Sequence, residues 1–289
     1  MPTFSEQERE QIKKIEEDRS YRDELREVFR KISQGLAKIN NRSYERASWE
    51  LLQNAGDYTS NGPACVELTL TDSDLYFKHH GLAFTLKTLE DLIRQRSSKN
   101  DKTKVGRFGT GFMTTHVFSR KVYLSGSCYV ELGGKSSYLP FNEFCLNRDF
   151  TDPELFVDEA DIALRKRMDI TEGEGSDIDI YPTIFRYPLS PEKVETISNQ
   201  IEKTSILMPY VLTFNDTISE CTIRNEFSNT TIVYSKIDEI GVPQGDSGTL
   251  LWKTIIEVTK DGQTKPDTIT VRTLRNTEGT DRVVIPELP

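Results

Sequence analysis

Apolar residues recur at roughly helical spacing in several stretches of the chain. Residues 5–40, rich in Glu, Lys, Arg and Gln, predict one or two helices with solvated charged faces, and a swapped dimer arm is the alternative. Further helices are predicted for Ser43–Gln53 and for three later stretches, LKTLEDLIRQRSS, MTTHVFS and PEKVETISNQIEKTSILMPYVL.

Alternation of apolar and polar residues, which is typical of β-strands, marks other stretches of the chain. Before residue 188 these are CVELTLTD, DLYFKHHG, KVYLSGSCYVEL and DIDIYPTIFRYPL. After it they are ECTIRNEF, TTIVYSKI, LLWKTIIEVTK and DTITVRTL. The acidic stretch from about Asn147 to Asp177 is loop-like, and we interpret it as a loop.

This order of elements predicts a two-domain α+β fold. An N-terminal helical extension (1–40) precedes a first α/β domain (41–188) and a smaller second one (189–289). The last residues, VVIPELP, lack a convincing terminal element, so we expect the second domain to be truncated.

Composition narrows the class of protein. The chain has 289 residues, of which 36% are hydrophobic and 29% charged, as in soluble globular proteins. No apolar run reaches the length of a membrane span and no signal peptide is evident, so we expect a cytoplasmic protein without a membrane partner. The net charge of −9, without a long basic block, argues against a nucleic-acid partner. The four cysteines form no CxxC pair, which argues against a zinc site and a disulfide framework.

One predicted helix, SWELLQNAGD at 48–57, carries candidate chemistry. Glu50 and Asn54 lie four residues apart and therefore share a helix face. A carboxylate and a neutral oxygen ligand suit Mg²⁺ bound together with a substrate phosphate, with Asn54 holding the ion and Glu50 orienting a water. Without further context, a solvent-facing Glu and a helix-terminal Asn are the commoner explanation.

A glycine motif precedes the predicted helix MTTHVFS. Gly106, Gly109 and Gly111 form G-x-x-G-x-G, a spacing that exposes backbone N–H groups at a helix N-terminus and suits an anion such as phosphate. The order of the glycines fits neither a dinucleotide fingerprint nor a P-loop. Taken alone, the motif is equally compatible with a tight helix–loop junction.

With a third motif, HHGLAF at 79–84, these motifs stand in the order and approximate spacing of the Bergerat nucleotide-binding fold. The chain resembles the GHKL superfamily of gyrase, heat-shock-ninety chaperones, histidine kinases and MutL, and within it the sacsin-like and heat-shock-ninety-like ATPases. ELLQNAGD is similar to their ELIQNADD, HHGLAF to their HNGxPF, RFGTGF to their glycine-rich lid segment and PTIFRYPL to their GTxFRFPL.

The resemblance covers roughly residues 40–188. It implies a Bergerat sandwich, in which helices cover one face of a mixed sheet. The segment after residue 188 is similar, in pattern only, to the transducer or middle domain that accompanies such modules.

The resemblance also implies a role for each matching residue. Glu50 would be the general base and Asn54 the Mg²⁺ ligand. Asp57 would line the nucleotide pocket, although a helix-terminal Asp that satisfies backbone N–H groups is the alternative. Thr183 would support the adenine, beside Pro182 where the family usually has Gly. The other nucleotide-binding residues would be Gly81, Phe84, Gly106, Gly109, Thr110, Gly111 and Phe112, of which Gly109, Gly111 and Phe112 would meet the phosphates through backbone N–H groups.

His79 departs from the wider family. It occupies the position where most GHKL proteins place the Asp that accepts a hydrogen bond from the adenine amino group, although sacsin-like relatives commonly carry His. A neutral imidazole can accept through one nitrogen and a protonated one cannot, so ATP affinity is predicted to fall as the pH drops through about 6.5. The alternative is that His79 and His80 end a strand and meet solvent.

The implied activity is ATP·Mg²⁺ binding, closure of a lid from about Arg96 to Phe108, and slow hydrolysis. It would serve chaperone-like remodelling or the control of a bacterial defence effector. Expected partners are ATP and ADP, a second copy in a nucleotide-dependent homodimer, and a downstream domain or effector. A nucleotide-sensing module without significant hydrolysis is the alternative, and a histidine kinase is a third option for which no phospho-acceptor helix pair is evident.

Two further features receive structural interpretations. His116, on the helix after the glycines, is expected to be packed in the core. The triplet Gln263-Thr264-Lys265, which gyrase-type transducers use to reach the γ-phosphate, lies between two predicted strands and is interpreted as a hairpin turn.

Overall fold

The structure is a computed structural model that describes residues 6–57, 59, 62–96, 110–132, 135–170, 182–243, 249–261, 263–276 and 282–284. The helices are α1 (Glu6–Leu36), α2 (Ser43–Asp57), α3 (Leu86–Ile93), α4 (Thr110–Thr114), α5 (Pro153–Asp169) and α6 (Pro191–Phe214), with a 3-10 turn at Thr115–Val117. The strands are β1 (Ala64–Leu70), β2 (Asp74–His79), β3 (Phe84–Thr85), β4 (Lys121–Leu132), β5 (Lys135–Asn147), β6 (Thr183–Pro188), β7 (Ile218–Asn225), β8 (Thr230–Pro243), β9 (Thr249–Lys260), β10 (Asp267–Asn276) and β11 (Arg282–Val284).

These strands form one mixed sheet. Its order across the described residues is β11-β10-β9-β8-β7-β1-β2-β6-β4-β3, and β5 pairs with β4. The pairs β1–β7 and β3–β4 are parallel. Strands β2 and β6 are antiparallel, with His79 opposite Thr183 and Phe77 opposite Phe185. Residues from two distant parts of the sequence thus become neighbours at one end of these strands.

One face of the central strands is buried and the other is partly exposed. Alternate residues of β2 and β6 are buried, namely Leu75, Phe77, His79, Thr183, Phe185 and Tyr187. The residues between them carry charges that pair on the partly exposed face, such as Lys78 with Glu67 and Arg186 with Asp74. This period-two pattern is what a sheet with a single core-facing side requires. Two polar residues, His79 and Thr183, nevertheless stand on the buried side.

Helix α2 packs on this buried face. Side chains of α2, α6, β1, β2 and β7 meet around a small apolar cavity whose lining includes Leu52, Phe77 and Met208. At the end of α2, a Cβ on Gly56 would lie 2.5 Å from Thr217 Oγ1, so glycine lets the helix approach the turn between α6 and β7 without displacing the Thr217 side chain. The packing fixes where the last turns of α2, and hence Glu50 and Asn54, lie relative to the sheet.

The interpretation of residues 147–177 as a loop is wrong for most of its length, because α5 occupies Pro153–Asp169. Asp152 caps this helix by accepting a hydrogen bond from the Glu154 backbone N–H at 2.8 Å, and proline at the first helical position suits a helix start. The buried residues are Phe156, Val157, Ala160 and Leu164, which share one helix face. The stretch also contains many acidic residues, which hid the helical spacing of these few apolar residues in the sequence.

The domain boundary predicted near residue 188 coincides with the end of β6, but the segment after it does not build a separate sheet. Strand β7 pairs in parallel with β1 over Ala64–Leu70 and continues the same sheet. Helix α6 packs against α2 as well as against β7 and β8. The chain is therefore a mixed α/β protein with one large mixed sheet, compatible with the predicted α+β class. None of the described helices is both long and apolar enough to cross a membrane.

Candidate functional site

Helix α2 places Glu50 and Asn54 on one face, but at different depths. The Asn54 side chain lies in the core with only 4% of the residue exposed, whereas the Glu50 side chain is 15% exposed. Arg46, one turn before Glu50, is 62% exposed at the surface. The face therefore runs from solvent at Arg46 to the protein interior at Asn54.

The Glu50 carboxylate has neighbours on both sides. Arg46 Nε donates to Glu50 Oε1 at 3.1 Å. On the other side, a Cβ on Gly111 would overlap the Glu50 carboxylate, so any side chain at residue 111 would displace that carboxylate. Gly111 thus has a packing role at Glu50 that is independent of any phosphate.

A small cavity lies where β2 ends and β6 begins. Its volume is about 20 Å³, which is room for one water molecule and far too little for a purine base. It is lined by Asn54, His79, Leu82, Ala83, Phe84, Thr88, Thr183 and Phe185. A few polar groups among apolar and aromatic walls are the composition typical of small-molecule sites.

Two polar atoms at this cavity lack hydrogen-bond partners among the residues that the structure describes. Asn54 Nδ2 and His79 Nδ1 are buried and have no hydrogen-bond partner within the described part of the chain. Buried polar atoms are nearly always paired, because leaving one unsatisfied costs about 1–3 kcal/mol. The nitrogen and oxygen of the Asn54 amide exchange places by a flip, so either can face the cavity. The cavity therefore offers unsatisfied hydrogen-bonding groups to a polar ligand.

The His79 ring is neutral over the physiological range. Burial, and to a smaller extent the neighbouring charge of His80, lowers the pKa of His79 to about 4. Its ring stacks at 6.3 Å on Phe185 and lies 5.9 Å from Phe77, so the imidazole is held between aromatic side chains. The expectation that His79 ionises near 6.5 is thus wrong for the folded chain, and the alternative that it meets solvent is also wrong. His80, by contrast, is exposed.

The aromatic residues of the motifs are core residues. Phe84 lines the cavity and lies edge-on to Phe141, with ring centroids 5.6 Å apart. Phe112 is buried and packs 5.7 Å from Phe185 without lining the cavity. Phe84 is therefore part of the cavity wall, and Phe112 packs behind that wall against Phe185.

Other predicted residues lie away from the cavity or outside the described residues. Asp57 ends α2 and Gly81 lies in the connection after β2, and neither lines the cavity. Thr110 begins α4. Gly106 and Gly109 lie outside the described residues, as does most of the predicted lid, so the proposed phosphate loop is described only from Thr110 onward.

The two structural interpretations of the sequence are confirmed. His116 is buried, its Nδ1 lies 3.2 Å from the Ser119 carbonyl oxygen, and burial lowers its pKa to about 3. The triplet at 263–265 lies in the turn between β9 and β10, where the backbone N–H of Gln263 donates to the Lys260 carbonyl at 3.0 Å.

A magnesium site would rest on few protein ligands. Among the described residues, no group of three or more His, Cys, Asp or Glu side chains could hold a metal ion. Mg²⁺ commonly keeps several waters and binds through one or two protein oxygens together with substrate phosphates. Asn54 lies on the cavity wall, and its amide oxygen, rather than the unpartnered Nδ2, is the kind of ligand that this requires.

Sequence reasoning missed part of the site, namely Arg46, Leu82, Ala83, Thr88 and Phe185. Thr88 carries no sequence signal for the cavity; in the structure it caps α3 reciprocally with Thr85, as Thr88 N–H donates to Thr85 Oγ1 at 3.0 Å and Thr85 N–H to Thr88 Oγ1 at 2.7 Å. Phe185 could be inferred, since it lies two residues after Thr183 on the same strand face.

A scan against models of protein families found no match for this chain, and a search of curated proteins found none either. The fold and the site define only a broad class of protein. The chain is a mixed α/β protein with a small cavity between α2, the end of β2 and the start of β6, and polar side chains contribute to the cavity wall.

Proposed function

We propose that this chain is a GHKL-type module with a Bergerat fold that binds ATP with Mg²⁺ and hydrolyses it slowly. The observation that carries the proposal is the convergence of Asn54, His79 and Thr183 on one cavity, with unpartnered atoms on the first two. These residues come from three separate stretches, each of which carries a motif similar to one of the superfamily. Glu50 lies one turn from Asn54 on the same helix.

The base of the nucleotide would enter the cavity between α2 and the sheet. Neutral His79 would hydrogen-bond the edge of the base, and Thr183 would offer its hydroxyl from the adjacent strand. A cavity of about 20 Å³ has to widen for this. The connection at 80–83 has no regular secondary structure and contributes Leu82 and Ala83 to the wall, so it is the segment expected to move.

The phosphates would extend along α2 from Asn54 toward Glu50. Bound Mg²⁺, held through Asn54, would neutralise part of the phosphate charge. Glu50 would accept a proton from water as the water oxygen bonds to the γ-phosphorus and the bond to ADP breaks. Hydrolysis would be slow and would couple nucleotide state to conformation, in chaperone-like remodelling or in control of a defence effector. A nucleotide-dependent homodimer and a downstream domain or effector are the proposed partners.

Titration calorimetry with ATP and Mg²⁺, together with a phosphate-release assay, tests this function. Wild type should bind ATP and release phosphate. Glu50→Ala should retain binding and lose turnover at least about 100-fold, because a general base acts in the transition state. Absence of ATP binding in a folded wild-type sample refutes the function, and unchanged turnover in Glu50→Ala refutes the role of Glu50.

A second candidate is a nucleotide-sensing module without significant hydrolysis. It is favoured by the contact between Glu50 Oε1 and Arg46, because Arg46 takes one of the acceptor lone pairs that a general base would use. Tight ATP binding without phosphate release, in the wild type and at every protein concentration, would select this candidate.

A further inference from the structure

Arg46 and Glu50 form a weak ion pair, so Arg46 can leave Glu50 for another anion. The pair is spaced i,i+4 on α2, and Arg46 Nε lies 3.1 Å from Glu50 Oε1. Arg46 is largely exposed, so water screens the contact and a long side chain has to be held in place for it. Moreover, an acidic residue stabilises such a pair better when it precedes the basic one, and here the order is reversed.

The contact also obstructs the chemistry proposed for Glu50. A general base needs a free lone pair within hydrogen-bond reach of the attacking water. Oε1 already accepts from Arg46, and the carboxylate is packed against Gly111 on its other side. Arg46 therefore takes one of the two acceptor lone pairs of Oε1, and its guanidinium lies where a water would otherwise approach that side of the carboxylate.

We propose that Arg46 exchanges Glu50 for the γ-phosphate when ATP binds, which makes it a catalytic residue that contacts the substrate. This inference rests on the proposed function. A terminal phosphate carries more charge than a carboxylate and offers several oxygens, and a guanidinium binds such groups with two parallel hydrogen bonds. Because Arg46 sits one turn from Glu50 on the same face, its flexible side chain can turn toward a phosphate without leaving the site.

The exchange would link substrate binding to catalysis. With Arg46 on the γ-phosphate, Glu50 Oε1 takes the proton of water, the water oxygen bonds to phosphorus, and the electron pair of the broken bond stays on ADP. Arg46 stabilises the charge that spreads over the γ-phosphate oxygens. ADP lacks the γ-phosphate, so after phosphate release Arg46 returns to Glu50.

Calorimetry with ATP and with ADP, in the presence of Mg²⁺, distinguishes this role from a structural one. Arg46→Ala should weaken ATP binding about tenfold or more, the usual effect of losing a charge-assisted hydrogen bond, and change ADP binding less than about twofold. Its phosphate release should fall at least as far, and Arg46→Lys should restore part of both. The matched control is Arg165→Ala, because Arg165 is also exposed and pairs i,i+4 with a carboxylate, Asp161, on α5.

If Arg46→Ala loses ATP affinity and ADP affinity equally, the inference is overturned. It is also overturned if Arg46→Ala binds both nucleotides as tightly as wild type. Faster phosphate release in Arg46→Ala also overturns it, because Arg46 would then only restrain Glu50. These outcomes leave the proposed function intact, provided that wild type binds both nucleotides. A folded wild-type protein that binds neither nucleotide overturns both proposals together. Unfolding temperatures of all variants, measured in parallel, show that the exposed substitutions leave the fold unchanged.

Discussion

Acid should destabilise this protein through two buried histidines. Burial lowers the pKa of His79 to about 4 and that of His116 to about 3, from the ordinary histidine value near 6.5. The folded chain therefore keeps both rings neutral at a pH where the unfolded chain has already protonated them. Since the unfolded state binds more protons, the free energy of unfolding falls as the pH falls below about 6.5.

The loss of stability depends on how far the pH lies below the pKa of histidine in the unfolded chain. pH 5 lies about 1.5 units below the pKa of a histidine in the unfolded chain, and each unit corresponds to about 1.4 kcal/mol. Each buried histidine therefore lowers the free energy of unfolding by about 2 kcal/mol at pH 5. Both together cost about 4 kcal/mol relative to pH 7.5, a large part of the roughly 5–15 kcal/mol that stabilises a typical domain. The loss from His79 should level off near its folded pKa of about 4, and that from His116 about one unit lower.

Urea unfolding at several pH values between about 7.5 and 5 measures this effect. The comparison is between wild type, His79→Gln and His116→Gln, whose free energies of unfolding should each depend less on pH by about 2 kcal/mol over that range. His80→Gln is the control, because His80 is exposed. Acidic residues contribute equally in all four proteins and cancel in the differences. If His79→Gln and His80→Gln have the same pH dependence as wild type, His79 is not held neutral by burial.

The same burial changes the expected pH profile of ATP binding. Since His79 is neutral above about pH 4, affinity should be nearly constant between about pH 5.5 and 8 in wild type and in His79→Ala. A fall in affinity near pH 6.5 that disappears in His79→Ala would show that the ring ionises near its ordinary pKa and would contradict the effect of burial on His79.

Two substitutions test the remaining contacts. Gly111→Ala should displace the Glu50 carboxylate that its Cβ overlaps and so lower phosphate release, at little cost in stability because the carboxylate is the end of a flexible side chain. A loss of more than about 1 kcal/mol that persists in a Glu50→Ala background would contradict that contact. Asn54→Ala should weaken ATP binding in the presence of Mg²⁺ more than in its absence, and identical effects under both conditions, measured by calorimetry, would exclude Asn54 as the Mg²⁺ ligand.

Local patterns in the sequence were sufficient for most individual elements. The apolar periodicity predicted α2 and α6, and the alternation predicted β4 from Lys121 to Leu132. The i,i+4 spacing placed Glu50 and Asn54 on one face, because that relation depends only on helix geometry. Helix α5 was missed, since its apolar face is narrow and the surrounding acidic residues gave the stretch the composition of a loop.

Non-local strand pairing, strand register and burial are visible only in the tertiary structure. The parallel pairing of β7 with β1 joins the segment after residue 188 to the same sheet, a non-local contact on which residue spacing has no bearing. The register of β2 and β6 sets His79 opposite Thr183, and the packing of α2 above them brings Asn54 to the same cavity. The identity of residue 79 establishes that an imidazole is present. Whether that imidazole carries a proton depends on burial, and burial is a property of the folded chain alone.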